Sequence, residues 1–267
     1  MAKIYALSDI HGCYDAMMYS LSAIHLEPSD LLIFLGDYVD GGDKSFRVLN
    51  EIMNLEKQYP NQVITLLGNH DEWFCNWFFF YEKNEDFYAI NMGFETISSF
   101  FETSEFETII HGSQNFANVS QNLMNLNDIL HQKMMELEEV KELFHWLKRK
   151  VTEKRYFETK NQIFVHAGID EEDGKNWKYL TMDGTFTGKY PATTGAFYKD
   201  IISGHIHSEE VSNEINDLGK VYWDGYNHFF IDGHTLKSRI VPVLQYDTET
   251  YRYTSFNAEK HSWEEIN

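Results

Sequence analysis

The chain is expected to fold as an α/β protein built on parallel strands, and three observations carry that expectation. KIYALSD (3–9), DLLIFLGD (30–37) and QVITLLGN (62–69) are apolar runs that each end in Asp or Asn. Between them, 13–25 and 43–57 place apolar residues at helical spacing, with Met17, Leu21 and Ile24 on one stripe and Phe46, Leu49, Ile52 and Met53 on another. The resulting order of strand, helix, strand, helix, strand predicts parallel pairing with helices over the sheet.

The remaining elements follow in order. WFCNWFFFY (73–81) is too short to span a membrane and is expected to pack in the core. Residues 72 to about 160 read as mostly helical, with MMELEEVKELFHWLKRK (134–150) the clearest amphipathic stretch, and about 82–158 is taken as an insertion over the sheet. NQIFVHAG (161–168) and KDIISGHIH (199–207) return to the form of a strand ending in polar residues, and 219–256 alternates like an antiparallel meander. With no repeat, low-complexity tract or Pro-rich linker, residues 1–267 are expected to form one domain carrying the insertion.

The formal net charge is −20, from 42 acidic against 22 basic residues, with no Lys/Arg run of the sort that binds phosphate backbones. Such a balance repels nucleic acid and anionic membranes, so neither is expected as a partner. The two cysteines, Cys13 and Cys75, are too few for a disulfide framework or a thiolate zinc site. The N-terminus lacks the apolar core of a signal peptide, and a reducing cytoplasm is the simplest compartment.

Five strand ends share one pattern: Asp9-Ile10-His11-Gly12, Gly36-Asp37-Tyr38-Val39-Asp40, Gly68-Asn69-His70-Asp71, His166-Ala167-Gly168 and Gly204-His205-Ile206-His207. In open α/β sheets the C-terminal strand ends meet at one edge, where ligands bind. An oxygen- and imidazole-rich set without thiolates suits Mn, Fe or Zn ions. Alternate residues of an extended chain face the same way, so Asp9 and His11 are expected to hold one ion together while Ile10 enters the core. Asp37 has two oxygens and can bridge two ions. Asn69 offers an amide oxygen, His166 and His205 complete the second ion, and His207 can reach back to the first.

In this order, Asp-x-His, Gly-Asp-x-x-Asp, Gly-Asn-His-Asp, His-Ala-Gly and Gly-His-x-His resemble the calcineurin-like metallophosphoesterases, over residues 3–70 and 161–250. GDYVDGG (36–42) is most similar to the GDYVDRG element of the phosphoprotein phosphatase branch, which includes bacterial serine/threonine phosphatases and symmetrical dinucleoside tetraphosphatases. The resemblance implies a four-layer β-sandwich flanked by helices, with two divalent or trivalent metal ions at one end of the strands. It also implies hydrolysis of a phosphorylated substrate, protein or small molecule. His70 would protonate the leaving group, with Asp40 as the acidic partner of its imidazole.

Two positions depart from the branch. Gly41 stands where it carries Arg, and Asp71 where it carries Glu. A guanidinium at 41 would grip phosphate bidentately; Arg47, Lys44, Arg155, Lys189 and Lys199 are the cations that could replace it, with Arg47 entered as the substrate-binding candidate beside Asn69. The first reading is therefore a two-metal phosphomonoesterase similar to bacterial protein serine/threonine phosphatases. A nucleotide phosphohydrolase, such as a symmetrical dinucleoside tetraphosphatase, or a phosphodiesterase is the second. A non-catalytic scaffold is the third, and the full set of motif residues argues against it.

Overall fold

The computed structural model describes residues 2–83, 85–113 and 118–266. Eleven strands form two mixed sheets: β1 (Lys3–Leu7), β2 (Leu31–Phe34), β3 (Val63–Thr65), β4 (Tyr156–Glu158), β5 (Gln162–Val165), β6 (Asp200–His207), β7 (Tyr222–Trp223), β8 (His228–Asp232), β9 (Leu244–Asp247), β10 (Arg252–Asn257) and β11 (Ser262–Glu265). One sheet runs β11-β10-β9-β1-β2-β3 and the other β4-β5-β6-β8-β7. β1, β2 and β3 are parallel, with Ile4 opposite Leu31 and Leu32 opposite Val63, as the strand–helix order predicts.

Side-chain alternation along the strands produces the layers. In β1, Tyr5 and Leu7 join the helical side, whereas Ile4 and Ala6 meet Phe164, Ile202, Phe229 and Ile231 of the second sheet. In that sheet, Ile163, Val165 and Ile201 point outward against Trp177 and Phe186. The protein is thus a sandwich of two sheets with helices on both outer faces. Ile33 and Phe164, almost fully buried between the sheets, would each cost about 2–5 kcal/mol on truncation to alanine.

Two expectations are corrected. The strand ends do not belong to one open sheet: three come from the first sheet and two from the second, packed face to face. Nor is 219–256 a single meander. β7 and β8 complete the second sheet, with β8 parallel to β6, while β9 and β10 pair antiparallel beside β1. Between them the chain passes through the short helix Thr235–Ser238 and Pro242, which has no N–H to continue a ladder.

Helices α1 (Tyr14–Leu21) and α2 (Ser45–Gln58) cover the first sheet, α2 burying Val48, Leu49, Ile52 and Met53 along one face while Phe46 is only half-buried. α3 (Asn69–Phe79) starts at the metal-ligand candidate itself and buries Phe74, Trp77 and Phe78, as expected for a core cluster, but leaves Trp73 43% exposed. Then follow α4 (Tyr88–Asn91), α5 (Glu95–Ser98), α6 (Thr103–Ser113), α7 (Val119–Glu136) and α8 (Lys141–Lys150). The stretch 82–158 is therefore helical until β4; Asn84 and residues 114–117 within it lie outside the described residues. The amphipathic stretch 134–150 is broken at Leu137–Val140, and only its second part forms one helix. Among the described residues no helix is long and apolar enough to cross a membrane.

Candidate metal centre

The loops after β1 and β2 continue the pairing of their strands. Asp9 N–H donates to Gly36 O at 3.0 Å, Ile10 N–H to Asp37 O at 2.8 Å and Gly12 N–H to Tyr38 O at 2.8 Å. Ile10, Tyr38 and Val39 are fully buried, so the polar residues between them turn away from the core. From the other sheet, Gly204 N–H donates to His166 O at 2.8 Å, which brings His205 alongside. Their imidazoles lie 5.2 Å apart, centre to centre.

Eleven described non-glycine residues have left-handed backbone, and Asp9 (φ 53°), His11 (φ 47°), Asp37 (φ 56°), Asp40 (φ 68°) and His205 (φ 66°) are among them. Each such residue costs on the order of 1 kcal/mol, and together they approach the stability of a whole domain. The buried hydrogen bonds at the strand ends must offset that strain. It also corrects the alternation argument for Asp9 and His11. The chain there is not extended: both Asp9 oxygens accept His205 N–H at 3.1 Å, and His11 Nε2 faces Asp37.

Two groups of side chains converge around Asp37: His11, Asp37 and His70 in one, Asp37, His166 and His205 in the other. Their tautomers follow from what the outer nitrogens touch. His166 Nδ1 lies 3.1 Å from Leu35 O and His11 Nδ1 3.0 Å from Val39 O; a carbonyl can only accept, so each Nδ1 carries the proton. His166 Nε2 faces Asn69 Oδ1 at 3.1 Å and Asp37 Oδ2 at 3.4 Å, as a donor when the ring is charged and as a lone pair when it is neutral. Likewise His11 Nε2 points at Asp37 Oδ2 across 3.8 Å. An amide oxygen, a carboxylate and two imidazoles converging in this way favour a positive charge between them, which a proton on His166 or a metal ion supplies.

With no ion bound, that charge falls on His166. Burial alone would lower His166, but the Asp37 charge beside it more than offsets this and raises the imidazole to about 10. Burial alone would raise Asp37; His166, through its charge and its hydrogen bond, then His11 and His70, bring it well below the usual carboxylate range. His205 falls to about 4 through burial and the His166 charge, which leaves it neutral and able to ligate. Burial, and then Asp232, push Asp9 well above the ordinary value. Gly68 is required at this point: a Cβ there would sit 2.1 Å from Asp37 Oδ1 and 2.7 Å from His166 Cε1.

The profile described as calcineurin-like phosphoesterase matches residues 2–209. This chain belongs to the calcineurin-like phosphoesterase family. Among curated relatives, the symmetrical bis(5'-nucleosyl)-tetraphosphatase of Nitrosococcus oceani is 45% identical over 69 residues, 26% of this chain and 23% of the relative. The protein of the same name from Klebsiella pneumoniae is 25% identical over 222 residues, 81% of this chain and 60% of the relative. In both, the matched region is less than two thirds of the relative's length. A solved cold-active protein-tyrosine phosphatase of a psychrophilic Shewanella superposes with a TM-score of 0.58 at 14% identity, over 99% of this chain and 80% of that one. At that identity the likeness concerns the fold alone.

This calcineurin-like phosphoesterase places the other expected residues as follows. His70 Nδ1 is 2.8 Å from Asp40 Oδ2, so the pairing expected of these two is present. His207 is not in either ligand group; its Nδ1 lies 3.7 Å from Asp232 and its ring packs edge-on to His234. Gly41 has left-handed backbone (φ 86°), which disfavours an arginine there, and a Cβ would lie 2.4 Å from Leu236 Cδ1, so that the exposed Leu236 side chain would have to turn aside. Of the candidate replacements, Lys44 is paired with Asp15, Arg155 with Glu72, Lys189 with Glu171 and Lys199 with Glu158. Arg47 is exposed on α2, within electrostatic range of Tyr14.

Four residues of the centre were not anticipated. Asp71 is fully buried and accepts N–H bonds from Asp37 (2.7 Å), Tyr38 (2.9 Å) and Gly68 (2.9 Å), clamping two loops together. Asp232 ends β8, and HFFID repeats the form of a strand ending in an acid that marked the other sites. Tyr88 and Thr96 bond to Asp40 from inside the stretch taken as an insertion over the sheet.

Proposed function

We propose that this family member is a two-metal phosphomonoesterase. The observation that supports the reading is the convergence of side chains able to ligate metal around Asp37, on one side with His11 and on the other with Asn69 and His166. His11 and Asp37, with Asp9, would hold one ion; Asp37, Asn69, His166 and His205 would hold the other. The donor set suits Mn, Fe or Zn. When bound, such a pair polarises phosphoryl oxygens and acidifies a water enough for it to attack near neutral pH.

The chain's own residues supply the other half of the reaction. Asp40 fixes Nδ1–H of His70, which leaves Nε2 to hand a proton to the departing oxygen. Burial would lower His70, but the Asp40 hydrogen bond, followed by the Asp37 and Asp40 charges, raises it above an ordinary histidine, so the proton-loaded form is favoured. Nearly full burial of Asp40 keeps water from competing for that bond.

A second reading, hydrolysis of nucleoside polyphosphates, is favoured by the Klebsiella pneumoniae relative, whose match takes in 81% of this chain. One screen separates the readings: the metal-loaded protein against aryl phosphates, phosphopeptides, mononucleotides and dinucleoside polyphosphates. Metal-dependent release of phosphate from monoesters supports the first. Preference for dinucleoside polyphosphates supports the second, and no turnover of any substrate leaves only the scaffold.

A further inference from the structure

Asp40 does more than touch His70. Its other oxygen, Oδ1, accepts two hydroxyls at once, from Tyr88 and from Thr96, each at 2.6 Å. Thr96 Oγ1 in turn accepts the backbone N–H of Asp40 at 2.8 Å, closing a ring of bonds between one residue of the β2 loop and one of α5. Asp40, Tyr88 and Thr96 are all buried, and among the described residues no lysine or arginine pairs with Asp40. Short O–H···O bonds to a carboxylate are the strong, charge-assisted kind. Two of them on Oδ1 and a third through the backbone fix the plane of the carboxylate, and that plane aims Oδ2 at His70 Nδ1.

The surrounding structure holds the two hydroxyls in turn. The Tyr88 ring packs 6.2 Å from both Phe74 and Trp77, centre to centre. Thr96 sits just after two successive left-handed residues, Gly93 (φ 68°) and Phe94 (φ 67°). A bulky residue rarely takes that conformation, and the strain persists only where neighbours fix the chain. Phe46 N–H donates to Ser99 Oγ at 3.0 Å, which ties α5 to α2.

We infer that Tyr88 and Thr96 are positioning residues for the proton donor: the helical segment acts on the chemical step by orienting Asp40, and through it His70. The inference rests on the general-acid reading of His70. Its consequence depends on the leaving group, since a good leaving group does not need the proton.

The test uses Tyr88→Phe, Thr96→Val and the double variant, with Thr96→Ser as the conservative control and His70→Ala as the reference. Turnover of an alkyl phosphate and of p-nitrophenyl phosphate is compared on folded, metal-loaded protein of unchanged metal content. Independently, the histidine Nδ1–H proton of the His70–Asp40 bond is observed by NMR in the metal-free protein, assigned by its loss in His70→Ala. The double variant should lose roughly tenfold to a hundredfold on the alkyl substrate, the usual worth of general acid catalysis being about 10²–10⁴. It should lose less than about threefold on the aryl one, with a shifted or exchange-broadened Nδ1–H signal and near wild-type behaviour restored by Thr96→Ser. Equal losses on both substrates with an unmoved signal would overturn the inference. If the double variant does not fold, the single variants and the signal decide the matter in the same way. If His70→Ala itself falls equally on both substrates, the general-acid reading fails, and the Nδ1–H signal still reports whether Tyr88 and Thr96 hold the pair.

Discussion

His70 Nδ1 and Asp40 Oδ2 lie 2.8 Å apart, and this one bond decides which nitrogen of the imidazole is left for chemistry. Because Asp40 takes the Nδ1 proton, only Nε2 can serve a substrate. His70→Ala should therefore cut alkyl phosphate turnover by about 10²-fold or more and activated aryl phosphate turnover far less. Steady-state kinetics on the two substrates checks this, and equal losses would remove His70 from the role.

Asp37 lies in both ligand groups, so its loss should empty more than one position. Elemental analysis of metal-loaded wild type should give two ions per chain, and Asp37→Ala at most one. Binding also stabilises: free metal at a hundred times its dissociation constant adds about 2.7 kcal/mol per site, and chelation should remove more from wild type than from the variant. Two ions retained in Asp37→Ala would refute the shared-ligand arrangement.

Asp71 offers a prediction about stability. Its carboxylate satisfies the N–H groups of Asp37, Tyr38 and Gly68, all buried. An unpaired buried N–H costs about 1–3 kcal/mol, so Asp71→Ala should lose about 3–5 kcal/mol in urea unfolding of the metal-free protein. Asp71→Asn keeps one acceptor oxygen and should lose less. A loss below about 1 kcal/mol in Asp71→Ala would show that the clamp is dispensable.

Tyr5 sets a pH dependence far from the centre. Burial, then the charges of Asp30 and Glu27, push its hydroxyl up to about 12. A group raised in the folded state keeps its full contribution below its unfolded value, about 10, and loses it as pH climbs toward the folded value. Wild type should thus lose stability between pH 10 and 12 that Tyr5→Phe does not. Discounted for partial solvation, the difference is on the order of 1 kcal/mol. Parallel denaturation curves for the two proteins across that range would contradict it.

The sequence by itself determined β1, β2, β3, β5 and β6, the polar residues at their ends and the chemistry those residues favour. These signals are local: Ile10 packs among apolar side chains while Asp9 and His11, on either side of it after β1, meet polar groups. Left to the tertiary structure were the pairings between distant parts of the chain. Nothing near Asp40 announces that Tyr88 and Thr96, 48 and 56 residues away, will saturate one of its oxygens. Likewise, nothing near Gly41 says that the Leu236 side chain will lie against it. The division of 219–256 between two sheets, and the clamp of Asp71 on Asp37, are of the same kind. A single hydroxyl or methyl has no periodicity to read, and its partner is chosen only when the two sheets and their helices close-pack.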